Sequence, residues 1–391
     1  MAGESSASSG VSRAGLIGIS LGVLAAGAAA GVAIERLTVG RAMRRRAREE
    51  LDAAAPFGSL RGTPRRVTAA DGTQLYTEVD EADGPSPLTV VFCHGYCLNQ
   101  DSWHFQRAAL RGRLRMVFWD QRSHGRSERS RSYLDGEPAS IDQLGGDLKA
   151  VLDAVVPEGP VVLVGHSMGG MTVMALAAQH PELFASDGRV AGVALVGTLA
   201  GGWDSVTLGL PAAGARVVKR VAPGVVRLLG RQVELVEATR RWGSDVAAVF
   251  YRRFSFGGKD VDPAVARFAE QLLDATPIDV VAEFYPAFSL HDKQGALAAL
   301  DGLPALVLAG TRDLLTPPEY SEAIAAALPD SRLVLAPETG HLVMLERPEL
   351  VDHELAALLE RAAEYAGTGP LPERVRELAQ EPAAEPEPEQ G

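Results

Sequence analysis

A chain of 391 residues, 46% of them apolar, can bury a large core, either as one large α/β domain or as two ordinary ones. The formal net charge of −12 argues against a nucleic-acid binder, because neutralising phosphates requires Lys and Arg clustered on one face, and the folded part holds no such stripe. The only cysteines, Cys93 and Cys97, bracket a His-Gly turn, which leaves neither a disulfide framework nor a multi-thiolate metal site.

Residues 1–13 are rich in Ser and Gly and read as a disordered N-terminus. Residues 14–34 (AGLIGISLGVLAAGAAAGVAI) form an uncharged apolar run that would reach roughly 30 Å as a helix, enough to cross a bilayer. Arg36, Arg41, Arg44, Arg45, Arg46 and Arg48 follow this run instead of preceding it. That order argues against a cleaved secretory peptide and, by the positive-inside rule, predicts a single-pass anchor in the cell membrane with the rest of the chain facing the cytoplasm. Export with cleavage and a soluble chain are the alternatives. Residues 35–62 read as a basic juxtamembrane linker.

From residue 63 the pattern becomes an alternation of apolar strands and amphipathic helices that lasts to about 366. Strands are predicted at 64–70, 74–80, 88–93, 115–120, 160–166, 190–197, 304–310 and 331–336. Helices are predicted near 102–111, 141–156, 168–179, 318–328 and 346–364. Such an alternation predicts a mostly parallel sheet covered by helices on both faces. About a hundred residues, 201–300, separate the sixth and seventh strands, far more than a crossover needs, and read as an inserted helical lid that includes the amphipathic stretch 217–242. Residues 367–391, ending in AQEPAAEPEPEQG, read as a disordered acidic Pro-rich tail.

The strongest chemical signal is Gly165-His166-Ser167-Met168-Gly169, a G-x-S-x-G that follows the apolar strand PVVLV and opens a helix. Glycines on either side allow a sharp turn that lifts a serine hydroxyl above the sheet, which makes Ser167 the candidate nucleophile. A serine needs an imidazole to take its proton. Of eight histidines, His341 is selected because it follows the strand RLVLA and a Thr-Gly turn and lies downstream of the serine. Asp313, at the exit of the strand ALVLAG, is the candidate carboxylate to orient it, with Asp292 and Glu338 as competitors. The backbone amides of Tyr96, after His94-Gly95, and of Met168 are the candidate oxyanion donors.

The motifs HGYCLNQDSWHFQ, DQRSHGRS, GHSMGGMT, GTRDLLTP and TGHLVMLERPE, in that order, resemble the α/β-hydrolase superfamily over about residues 63–365. The resemblance implies an eight-stranded core with a helical cap and a hydrolase that uses neither metal nor cofactor. Ser at position 167, in place of Asp, departs from the epoxide hydrolase and haloalkane dehalogenase branches. The expected activity is that of a carboxylesterase or lipase acting on a small-molecule ester with an apolar acyl group, the lid contributing Phe254, Phe256, Phe284 and Phe288. C–C bond, thioester or perhydrolase chemistry on the same triad, a non-catalytic small-molecule receptor, and a membrane scaffold are the alternatives. No protein partner is implied.

Overall fold

The computed structural model describes residues 56–210, 220, 224 and 252–380. All eight predicted strands form, with ends within two residues of expectation: β1 Thr63–Thr68, β2 Gln74–Asp80, β3 Thr89–Cys93, β4 Arg115–Trp119, β5 Val161–His166, β6 Val190–Val196, β7 Ala305–Gly310 and β8 Arg332–Ala336. They build one sheet in the order β1-β2-β4-β3-β5-β6-β7-β8, in which β2 runs antiparallel to both its neighbours and the remaining pairs are parallel.

The central strands are buried along their whole length (TVVFC, VVLVGH, VAGVALV, ALVLAG), which is why they read as continuous apolar runs and not as an alternation. Successive side chains still point to opposite faces. Phe92, Val164 and Leu308 join one core layer and Val91, Leu163 and Val307 the other. The edge strand β1 (TPRRVT) is exposed except at Val67, and its two arginines discourage pairing with another edge.

Five helices cover this sheet as predicted. They are α1 His104–Leu110, α2 Ile141–Val155, α3 Met168–Gln179, α6 Pro318–Ala327 and α8 Pro348–Tyr365, with α4 (Pro263–Asp274) and α5 (Ile278–Ser289) in the insertion and α7 a single turn at Val343–Glu346. In α2 the Ser140 hydroxyl accepts the Gln143 amide, and Ile141, Leu144, Leu148, Val151, Leu152 and Val155 form the buried stripe. Within the insertion, α4 spans Pro263–Asp274, capped by Asp262, and α5 spans Ile278–Ser289. Val280, Phe284, Ala287 and Phe288 of α5 pack on Met168 and Met171 at the start of α3. The stretch 217–242 lies outside the described residues apart from Arg220 and Gly224.

Two expectations are corrected. Residues 367–380 are not a structureless tail: Glu373–Gln380 forms a further helix, α9, and Leu371 and Val375 are buried in the core layer that contains α8. The Pro- and Glu-rich composition hid two apolar anchors, enough to dock a short amphipathic helix. Residues 381–391 lie outside the described residues. The single-pass membrane anchor, with its cytoplasm-facing domain, is also withdrawn as unsupported: among the described residues no helix is long and apolar enough to cross a membrane. Residues 14–34, on which that expectation rested, lie outside the described residues.

Strand order places the site. β3 and β5 are neighbours, but the chain leaves β3 towards β4 on one side and β5 towards β6 on the other. This reversal opens a crevice at the carboxyl ends of the two strands, where Cys93 pairs with Gly165, and the loops that follow them begin at His94 and Ser167.

Candidate active site

Ser167 sits between β5 and α3 with φ +52° and ψ −118°, a left-handed conformation that costs a serine on the order of 1–3 kcal/mol. The turn persists because its neighbours determine it. The Ser167 amide donates to the Val196 carbonyl at 2.9 Å, and the Ser167 carbonyl accepts the Thr198 hydroxyl at 2.8 Å and the Gly170 amide at 2.9 Å. A Cβ on Gly169 would lie 2.2 Å from the Cys93 carbonyl oxygen, so only glycine lets α3 approach β3 this closely.

Asp313 and His341 are brought together as predicted, with His341 Nδ1 2.7 Å from Asp313 Oδ2. Asp313 Oδ1 accepts the amides of Leu315 (2.8 Å) and Thr316 (2.9 Å), and Oδ2 also accepts the Thr316 hydroxyl at 2.7 Å. Since both carboxylate oxygens act as acceptors, the network assigns the imidazole proton to Nδ1 and leaves the Nε2 lone pair free. Both side chains are buried. The competing carboxylates are engaged elsewhere: Glu338 pairs with Arg312, and Asp292 accepts the Gln294 amide.

Among the described residues no hydrogen bond joins the Ser167 hydroxyl to the His341 ring. The two are drawn together through their neighbours. His166, adjacent to Ser167, contacts the His341 ring with centroids 4.7 Å apart. Gly197, after the strand whose Val196 carbonyl holds the Ser167 amide, lies against both His341 and Asp313 Oδ2.

The loop after β3 supplies the remaining expected groups. A Cβ on Gly95 would lie 3.2 Å from the Ser167 Cβ, which brings the loop carrying Tyr96 to the Ser167 turn. Among the described residues, neither the Tyr96 nor the Met168 amide donates to a protein acceptor. The loop is braced by His94: its Nε2 accepts the Gln121 amide at 2.9 Å, so Nδ1 carries the proton and donates to the Gly95 carbonyl at 2.8 Å. Burial, reinforced by the nearby His124, pushes the His94 pKa down to about 3, so the ring stays neutral and acts as a fixed strut. The Tyr96 hydroxyl donates to the Val281 carbonyl of α5 at 2.5 Å, and its ring meets Phe288 edge-on at 5.0 Å. Phe284, Phe288 and Trp203 of the insertion thus pack with Tyr96 into one aromatic cluster beside Met168. Phe256, expected in that lining, packs instead in the core layer with Leu342 to Leu345.

Three positions in the surrounding shell escaped the sequence reading. Thr316 and Thr198 grip the Asp313 carboxylate and the Ser167 turn, and His166 is a hydrogen-bonding strut where the motif suggested a variable position. The spacing of Thr316, three residues after Asp313, is that of a side-chain-to-backbone turn and was the one available signal. Among the described residues no group of three or more His, Cys, Asp or Glu is placed to hold a metal ion.

Comparison with known proteins agrees with this fold. The family model for the alpha/beta hydrolase fold matches residues 89–348. The chain is 25% identical over 305 residues to an uncharacterised hydrolase of Bacillus subtilis, covering 76% of this chain and 98% of that protein. It is 26% identical over 279 residues to the dihydrolipoyllysine-residue acetyltransferase component of the acetoin cleaving system of Pseudomonas putida, covering 71% of this chain but 65% of that protein, less than two thirds of its length. Among solved structures it resembles a thermophilic esterase from Thermogutta terrifontis with a TM-score of 0.60 and 25% identity, covering 77% of this chain and 99% of the esterase. Since the matching model spans well over half of the sequence, the chain belongs to the α/β-hydrolase superfamily.

Proposed function

We propose that this protein is a serine hydrolase that cleaves a carboxylic ester through an acyl-enzyme on Ser167. The observation that carries the reading is the 2.7 Å Asp313–His341 hydrogen bond beside a serine held at φ +52°. With Nδ1 protonated towards Asp313, His341 Nε2 takes the hydroxyl proton as Ser167 Oγ bonds to the acyl carbon. The carbonyl oxygen gains negative charge and is stabilised by the Tyr96 and Met168 amides. Nε2 then returns the proton to the departing alkoxide oxygen, leaving the alcohol and the acyl-enzyme. A water molecule, deprotonated by the same nitrogen, attacks the acyl carbon, and Ser167 leaves with its proton restored as the acid is released.

The aromatic surface of Tyr96, Phe288 and Trp203 beside the crevice supports an apolar acyl group. The likeness to the Thermogutta terrifontis esterase supports ester chemistry over the other reactions open to this triad. The test is Ser167→Ala assayed against aryl esters of graded acyl length and against a fluorophosphonate probe. Turnover falls on the order of 10⁴-fold or more, and labelling disappears. Turnover or labelling at the wild-type level in the Ala variant would refute the assignment.

A further inference from the structure

The loop that carries His341 is held from an unexpected direction. Glu346, at the end of the α7 turn, is half-buried, and its carboxylate accepts three backbone amides from two separate segments. Oε2 accepts the amide of Gly340, the residue before His341, at 2.8 Å. Oε1 accepts the amide of Gly258 at 2.6 Å and that of Gly257 at 3.1 Å. Residues 255–258 belong to the insertion between β6 and β7.

The two segments meet backbone to backbone. A Cβ on Gly340 would lie 2.5 Å from the Phe256 carbonyl carbon, and one on Gly257 would lie 2.6 Å from the Thr339 carbonyl carbon. On the far side of His341, the Leu342 amide donates to the Ser255 carbonyl at 2.9 Å. The Arg312 guanidinium, one residue before Asp313, donates to the Gly257 carbonyl at 3.2 Å. The Thr339–Gly340 peptide, just before His341, is therefore hydrogen-bonded to Glu346, which also binds the insertion, and the His341–Leu342 peptide is hydrogen-bonded to the insertion directly.

We infer that Glu346 is a positioning residue whose carboxylate pins the His341 loop to residues 257–258 of the insertion, so that the imidazole is aimed only while this part of the insertion is seated. A carboxylate suits the task. Its two oxygens offer about four acceptor sites, so one side chain can bind amides from both segments, and hydrogen bonds to a charged acceptor are roughly twice as strong as neutral ones. The inference rests on the reading of His341 as the general base, because an imidazole misplaced by about 1 Å costs on the order of 100-fold in rate.

The test compares wild type with Glu346→Ala and Glu346→Gln in the full chain by ester kinetics, rate of fluorophosphonate labelling and amide hydrogen exchange. In Glu346→Ala, kcat and the labelling rate fall roughly 10- to 100-fold with little change in KM, and exchange rises together at residues 257–258 and 340. Glu346→Gln keeps one carbonyl acceptor and recovers part of the loss. Unchanged kcat in a folded Glu346→Ala protein, or unchanged exchange at these amides, overturns the inference. Should Glu346→Ala fail to fold, Glu346→Gln carries the same test: reduced kcat at wild-type melting temperature supports the tie, and undiminished kcat overturns it. Absence of turnover and labelling in wild type would instead defeat the hydrolase reading, and the exchange comparison would then decide the tie alone.

Discussion

His166 Nε2 lies 2.9 Å from the carbonyl oxygen of His341, so the residue beside the proposed nucleophile, Ser167, supports the backbone of its proposed general base. A carbonyl only accepts, so His166 carries its proton on Nε2. Burial, and then the neighbouring His341, drives its pKa well below the usual histidine range and keeps the ring neutral. The strut couples β5 to the loop after β8, which are separated in the sheet by two intervening strands.

His166→Phe retains the ring and deletes this donor. The His341 carbonyl is then left without its partner, at a cost of about 1–3 kcal/mol in stability, measured by urea unfolding. Ester kcat also falls, because the loop loses one of its anchors. A variant with wild-type stability and kcat would show that the contact carries no weight.

Glycine substitutions separate close approach from open space. Gly169→Ala forces a Cβ to 2.2 Å from the Cys93 carbonyl oxygen, a backbone atom with nowhere to go, and destabilises by at least about 3 kcal/mol or abolishes soluble expression. Gly146→Ala, exposed in the interior of α2 with nothing within 4 Å of the new methyl, stabilises by about 0.5–1 kcal/mol. Thermal melts of the two variants read the contrast directly.

Arg122, buried after β4, binds both oxygens of buried Asp147 at 2.6 Å and reaches Asp71 at 2.8 Å. Arg122→Met strands the Asp147 charge and costs about 3–5 kcal/mol. Replacing both partners, as Arg122→Met with Asp147→Leu, recovers most of that loss, because no fully buried charge remains and half-buried Asp71 keeps the Thr73 and Ser132 amides. A double variant as unstable as the single one would argue against this account.

His124 makes stability depend on pH. Its Nδ1 lies 2.9 Å from the Arg122 carbonyl, and burial pushes its pKa from 6.5 down to about 4. The unfolded chain takes up a proton on this ring as pH falls below 6.5, whereas the folded chain does not until about 4. Its contribution is therefore complete above pH 6.5 and is lost as pH falls, by up to about 1.4 kcal/mol per pH unit. His124→Phe removes this term, so the stability difference between variant and wild type shifts in favour of the variant from pH 7 to pH 5. Parallel pH profiles in urea unfolding would contradict the linkage.

Much of this architecture is written locally. The eight strands, the helices between them, the turn at Ser167 and the choice of His341 and Asp313 follow from patterns a few residues long: apolar runs, glycines around a serine, and acidic or imidazole side chains just past strand ends. Such features depend on backbone sterics and on burial of whole segments, which neighbouring residues already determine.

The remainder depends on which distant segments meet. Arg122 with Asp147, His166 with His341, and Glu346 with Gly257, Gly258 and Gly340 are separated by between 6 and 175 residues, and no periodicity announces them. Composition misled around α9, where Leu371 and Val375 in a polar stretch join a core layer that only the assembled fold provides. The sequence by itself determined the sheet and the chemical groups at its carboxyl edge, because local sterics and hydrophobic patterning suffice for those. Tertiary structure alone decided how the groups are aimed, because hydrogen bonds between segments far apart in the chain form only where folding has already placed the donors and acceptors within reach.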